Sequence, residues 1–213
     1  MAHLTDTLLL LALLTNFAIL SASRLSFTIR VAAVQGIVLG LLPLAIHRPW
    51  SGHSLLIAVG TVVVKGLLLP GVLMWAMREA TVRREVEPSL GPLSSIAAGV
   101  LAVGLALALG AYLPRIGETV PPLLVATSFA TLMIGFLVLT TRRKAMTQVV
   151  GYLLLENGVY LFGLAVSVRV PLLVEMGVLL DLVVGVFIMG LVVFDMNREL
   201  ESLDSARLSE LRD

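Results

Sequence analysis

Seven apolar runs, each long enough to carry an α-helix across a hydrocarbon core, take up most of this chain. They lie near residues 4–22, 31–47, 54–77, 92–113, 121–140, 145–167 and 173–195. Crossing takes about 20 helical residues. Inside lipid a backbone must satisfy its own N–H and C=O groups, so such runs specify helices rather than open sheet. The expected fold class is therefore all-α integral membrane, with about seven transmembrane helices. The remaining polar stretches are too short for a soluble catalytic domain with a core of its own. Large-pocket chemistry would then belong to a partner.

Composition agrees and narrows the chemistry. The chain is 58% hydrophobic and 14% charged, with a mean hydropathy of +1.02. Cysteine is absent, which removes thiolate catalysis, disulfides and cysteine-ligated zinc or iron–sulfur sites. A net charge of +1 argues against a nucleic-acid partner. No cleavage pattern follows the first run, so that helix is expected to stay as an anchor.

The breaks between runs carry the usual punctuation: Ser23 to Arg30, His47 to His53 around Pro49, the charged stretch Arg78 to Pro92, Pro114-Arg115, Arg142-Arg143-Lys144, and Arg169-Val170-Pro171. Short basic loops resist translocation, so the side rich in Lys and Arg is expected to be cytoplasmic. Loops one, three and five and the C-terminus hold eleven such residues, against Arg48, Arg115 and Arg169 opposite. The N-terminus is expected outside and the tail inside, in a bacterial or archaeal cytoplasmic (inner) membrane. Trp50 and Trp75 stand near span ends, as interface anchors do.

A three-span block occurs twice, as runs one to three and runs five to seven. Run four joins them. The expected organisation is a block at 1–91, a connecting helix and outer loop at 92–120, a second block at 121–196 and a cytoplasmic tail at 197–213. In this parallel arrangement Lys65 corresponds to Asp181. The tail carries Leu203, Leu208 and Leu211 among alternating charges, the pattern of a short amphipathic helix or of a solvated tail.

Three ionisable residues fall deep within the runs: Lys65, Glu156 and Asp181. A charge at such depth is costly and needs a partner, a proton or a wet cavity. Desolvation disfavours the charged form of a carboxyl or an amine, which suits these groups to gaining and losing protons. Helical rise puts Glu156 and Lys65 about 16 Å deep and Asp181 about 12 Å deep. These are the proton-relay candidates. The alternative is a buried Lys–Asp or Lys–Glu pair, or a carboxyl bonded to Asn157, that only fixes helix packing. Glu175 lies near the outer mouth of the last run and reads as interfacial.

Secondary candidates are Gln35, Asn157, Tyr152 and Tyr160. The tyrosines flank Glu156 at a spacing of four and would extend a hydrogen-bond chain or simply pack. Gln35 and Thr147-Gln148 would line a wet path or bond between helices. His3, His47 and His53 are scattered over the N-terminus and one outer loop, and no metal site is assigned to them. Gly185 and Gly190 allow close helix approach.

From Arg142 onward the sequence carries a family resemblance. Arg142-Arg143-Lys144, Gly151-Tyr152-Leu153-Leu154-Leu155-Glu156-Asn157-Gly158, Leu180-Asp181-Leu182-Val183-Val184-Gly185, Leu203-Asp204-Ser205 and Leu208-Ser209-Glu210-Leu211-Arg212 resemble the three-helix K subunit of respiratory complex I. That subunit is itself similar to the C subunit of multisubunit sodium/proton antiporters. This resemblance covers about the last 75 residues. Over the full length, the seven-span plan, Leu155-Glu156-Asn157-Gly158 and Lys65-Gly66-Leu67-Leu68-Leu69-Pro70 look more like hydrogenase-4 component E, from complex-I-like membrane-bound hydrogenases.

The resemblance implies a non-catalytic membrane subunit of a hydrogenase-4 or formate hydrogenlyase type oxidoreductase complex. It would sit among antiporter-like subunits and help couple a peripheral hydrogenase arm to ion movement. No cofactor is expected in this chain, with nickel–iron and iron–sulfur centres in partner subunits. The K subunit carries a membrane carboxylate on each of its last two helices. Asp181 matches the second in place, with Asp for Glu. At the first this chain has Leu153, and Glu156 follows three residues later, nearly one turn along the same face. Two alternatives are a subunit of a multisubunit cation/proton antiporter and a self-contained secondary transporter.

Overall fold

The computed structural model describes residues 2–46, 52–79, 90–112 and 121–166. They form helices α1 (Ala2–Ser21), α2 (Leu25–Ile46), α3 (Gly52–Thr61), a π-helical segment (Val62–Leu68), α4 (Leu69–Glu79), α5 (Pro92–Tyr112), α6 (Pro122–Thr141) and α7 (Ala145–Val166). Because α3, the π segment and α4 run on as one rod, the described residues hold six helices long and apolar enough to cross a membrane. The protein is an all-helical, multi-pass membrane protein. The seventh expected run, 173–195, lies outside the described residues, as does the tail.

Five of the six spans match the expected runs to within a few residues. The exception is α2, which begins at Leu25 rather than near residue 31. Ser23, Arg24, Ser26, Thr28 and Arg30 disguise its first turns as a loop, but their polarity is accommodated on the helix. Leu25, Ile29 and Ala32 point into the core at a helical spacing while Arg30 stays exposed. Thr28 returns its hydroxyl to the Arg24 carbonyl at 3.0 Å. Pro43, buried inside the last turns of α2, does not end the helix.

The third span is not uniformly α-helical, and its sequence accounts for the interruption. Pro70 has no N–H to offer the carbonyl four residues earlier, so the regular ladder cannot pass through this point. Just before it the helix widens, and the Leu69 N–H bonds Val64 O, five residues back. Lys65 stands at the centre of the widened turn.

Packing relies on glycine wherever helices must approach closely. On α2, Gly36 and Gly40 lie four apart and abut the third span, Gly36 against the Lys65 backbone and Gly40 against Val62. Gly135 of α6 faces the backbone of Leu154 and Leu155, and Gly151 and Gly158 of α7 face Leu139 and Leu132. The α6–α7 hairpin is thus drawn together along its length. Around it, one apolar cluster gathers Ile19, Leu25, Ile29, Leu73, Ile134 and Leu154, and a second gathers Leu9, Leu39, Leu42, Leu124 and Leu161. Helix α7 is the most enclosed span and α5 the most exposed, with Leu93, Leu101 and Leu105 turned outward as a lipid-facing surface allows.

One charged side chain ties the bundle at its end. Arg142, read from sequence as part of a basic loop, is buried, and its guanidinium donates to Leu20 O at 2.9 Å. That carbonyl belongs to the last turn of α1, where helix carbonyls lack partners and a cation suits the dipole. Burial lowers the Arg142 pKa from its ordinary value through desolvation.

Candidate functional site

The deep ionisable residues within the described region meet. Lys65 Nζ lies 3.3 Å from Glu156 Oε1, with both side chains only 4% exposed. Lys65 is held by the π turn of the third span, and Glu156 sits halfway along α7, 11 residues from its start. The same ammonium donates to Asn157 Oδ1 at 3.2 Å and lies 5.6 Å from the centre of the Tyr160 ring. Adjacent residues of α7 thus serve one cation in two ways: a carboxylate beside it and an amide oxygen accepting from it.

The contact between Lys65 and Glu156 is electrostatic rather than a directed hydrogen bond. Neither carboxyl oxygen of Glu156 has a hydrogen-bond partner among the described residues. A buried carboxylate normally collects donors, since its charge is expensive to desolvate. Glu156 therefore has acceptor capacity that the protein does not occupy, and a proton can be received there without breaking a hydrogen bond.

From Asn157 a hydrogen-bonded series crosses the bundle. Asn157 Nδ2 donates to Gln35 Oε1 at 3.0 Å, Gln35 Nε2 donates to Asn16 Oδ1 at 2.8 Å, and Asn16 Nδ2 donates to Thr131 Oγ1 at 2.9 Å. Gln35 Nε2 also donates to the backbone oxygen of Ala12 at 3.3 Å. The series links α7, α2, α1 and α6 with every side chain buried. On the other flank of Lys65, Thr61 Oγ1 donates to the Tyr160 hydroxyl oxygen at 3.2 Å.

Of the residues singled out from sequence, Lys65, Glu156, Asn157, Gln35 and Tyr160 therefore belong to one polar cluster. Tyr152 does not join it, packing instead against the apolar core. Asn157 bonds Lys65 rather than a carboxyl. Gln148 donates to Arg142 O at 3.0 Å, tying the start of α7 to the end of α6, and the buried Thr147 hydroxyl has no partner among the described residues. Asp181 and Glu175 lie outside the described residues. Among the residues that are described, no group of three His, Asp or Glu stands close enough to hold a metal.

Sequence reasoning missed Asn16, Thr131 and Thr61. An amide within Leu13-Leu14-Thr15-Asn16-Phe17 is itself a signal, since it too must find a partner in lipid. The threonines give none, because a hydroxyl in a span often satisfies itself on its own helix.

Comparison with known proteins follows the same division of the chain. The family model for NADH-ubiquinone/plastoquinone oxidoreductase chain 4L matches residues 123–213, starting at α6. An uncharacterized protein of Mycobacterium tuberculosis is 33% identical over 190 residues, covering 87% of this chain and 85% of its own length. Hydrogenase-4 component E of Escherichia coli is 26% identical over 205 residues, covering 95% of this chain and 94% of that protein. The chain belongs to the hydrogenase-4 component E family. No solved structure matches it. Within this component E family chain the cluster straddles the boundary of the 4L-like segment: Thr131, Glu156, Asn157 and Tyr160 fall inside it, while Asn16, Gln35, Thr61 and Lys65 come from the preceding spans. The carboxylate and its cation therefore originate in different parts of the chain.

Proposed function

We propose that this protein is a non-catalytic membrane subunit of a hydrogenase-4 or formate hydrogenlyase type complex, in which Glu156 takes up and releases a proton beside Lys65 as redox chemistry proceeds in partner subunits. The observation that carries this reading is the Lys65–Glu156 pair, buried at mid-span with neither carboxyl oxygen engaged by a hydrogen bond among the described residues. Ionisable groups at that depth mark proton and ion pathways more often than they serve packing alone. The full-length likeness to hydrogenase-4 component E supports the kind of complex. Asp181 is the second carboxylate in this proposal, on the strength of the family pattern.

Antiporter-like membrane subunits and a hydrogenase peripheral arm are the proposed partners, in the cytoplasmic membrane with the N-terminus outside. The nickel–iron and iron–sulfur centres would reside in that arm. A redox event there would change packing or hydration around the pair, shift the equilibrium between its protonation states and move protons laterally toward neighbouring subunits.

The test is made in the intact complex with Glu156→Gln and Asp181→Asn. Each variant is expected to lower proton movement into inverted vesicles at least severalfold, while peripheral catalysis with an artificial electron acceptor stays near the native rate. Full proton movement in both variants at normal complex abundance would overturn the assignment. Mass spectrometry of the gently purified complex checks the partners.

A further inference from the structure

The hydrogen-bonded series that leaves Lys65 has one direction. Asn157, Gln35 and Asn16 each turn their carbonyl oxygen toward Lys65 and their amide nitrogen away from it. Both ends impose the same polarity. Lys65 in its ammonium form can only donate, so it requires an oxygen from Asn157. The backbone carbonyl of Ala12 can only accept, so it requires the nitrogen of Gln35. With Gln35 Nε2 committed to Ala12 and Asn16, its Oε1 must face Asn157, whose nitrogen then donates and whose oxygen is left for Lys65.

We infer that Asn157, Gln35 and Asn16 form an aligned series of amide dipoles that keeps Lys65 charged when Glu156 becomes protonated. The inference deepens the role proposed for the pair. In a cluster held by ion pairing alone, protonating Glu156 would remove the counter-charge and leave a bare buried ammonium, which favours loss of the lysine proton as well. Here the negative ends of the amides face the cation and are fixed in advance. In a medium of low dielectric constant such dipoles act strongly and polarise one another. The ionisable groups that the described elements set against Lys65 are Glu156 and Tyr160 of α7; α2 contributes the neutral Gln35.

The consequence is a division of labour: Glu156 carries the exchangeable proton, and Lys65 is a fixed positive charge that encourages its departure. Gln35, which touches neither Lys65 nor Glu156 in any described hydrogen bond, is a positioning residue whose amide sets the orientation of Asn157. Carboxamides are poor proton carriers, so the series acts on Lys65 by its dipoles and is no branch of the proton path.

The sequence permits a direct test because it contains two lysines, Lys65 and Lys144. In a Lys144→Arg background, the full chain labelled with lysine-Nζ ¹⁵N and placed in lipid nanodiscs reports the charge of Lys65 alone by NMR. Adding Glu156→Gln, which mimics the protonated acid, is expected to leave the ammonium signal in place at pH 7. Adding Gln35→Met as well is expected to shift the ammonium-to-amine ratio about tenfold or more toward the amine, a change a purely structural role would not produce. Should the Gln35→Met protein not fold, Asn16→Leu interrupts the same series one step further on and is read in the same way. Loss of the ammonium signal in Glu156→Gln alone, or its full retention once the series is cut, would overturn the inference. Failure of the proposed function shows separately, as normal proton movement in the Glu156→Gln complex.

Discussion

Gly36 of α2 lies directly against the backbone of Lys65: a Cβ built on Gly36 would come within 2.5 Å of the Lys65 carbonyl carbon and oxygen. The absence of one side chain therefore decides how close the widened turn can come to α2, and with it where the ammonium sits relative to Gln35 and Glu156. Gly36→Val is expected to destabilise the protein by about 1–3 kcal/mol, because backbone atoms rather than a flexible side-chain end must give way. Gly60, one turn before Lys65 and with open space around its Cβ position, is the control. Gly60→Ala is expected to be neutral or stabilising by up to about 1 kcal/mol. Thermal unfolding of the two full-length variants in detergent micelles checks both.

Arg142 gives a second prediction at the end of the bundle. Replacing it with Met keeps an apolar stem but leaves Leu20 O without its guanidinium donor. The expected loss is about 1–3 kcal/mol, the ordinary cost of orphaning a buried acceptor. Arg142→Lys retains the charge near the C-terminal end of α1 and should recover part of the loss, but not all, since one ammonium cannot reproduce the fork of donors. The measurement is again a melting temperature, together with the abundance of the assembled complex in membranes.

These dependencies explain what the sequence did and did not disclose. The spans were legible because unbroken apolar runs admit no other stable backbone in lipid, and Lys65 and Glu156 stood out because charge at that depth is expensive. Their meeting was not legible, since it depends on the rotation of two helices about their axes. That rotation is set by Gly36, Gly135, Gly151 and Gly158 against neighbouring backbones, a pattern distributed over four spans. The start of α2 was hidden because Ser26, Thr28 and Arg30 look like a loop until Leu25 and Ile29 are seen to share a buried face. Asn16 carried a usable signal, an amide in an apolar run; Thr61 and Thr131 carried none.

The widened turn at Val62–Leu68 is attributed to Pro70, and that attribution can be checked. Pro70→Ala restores an N–H and allows the α-helical ladder to run through the third span. The helix itself should become more stable, raising the unfolding temperature, while Lys65 rotates away from Glu156 as the extra residue of the wide turn is absorbed. The expected combination is a more heat-resistant subunit with weakened proton movement in the complex. An unchanged melting temperature with full proton movement would separate the π turn from Pro70.

The energetic link between Lys65 and Glu156 should appear as strong non-additivity. Lys65→Met leaves the Glu156 carboxylate in the bundle without the adjacent ammonium, and Glu156→Gln leaves the ammonium without its counter-charge. Breaking a buried pair from either side typically costs about 3–5 kcal/mol, because the remaining charge is uncompensated. With both changed, the cluster is neutral and the two costs should not add: the double variant is expected to be more stable than Lys65→Met alone, giving a coupling of about 1–3 kcal/mol. The two single variants should also differ. Glu156→Gln keeps the Asn157 oxygen on Lys65, whereas Lys65→Met leaves a carboxyl with no hydrogen bond among the described residues. The lysine variant should therefore be the less stable of the two. Thermal melts of the wild type, both single variants and the double variant provide the cycle, and strictly additive effects would show that the 3.3 Å approach carries no interaction energy.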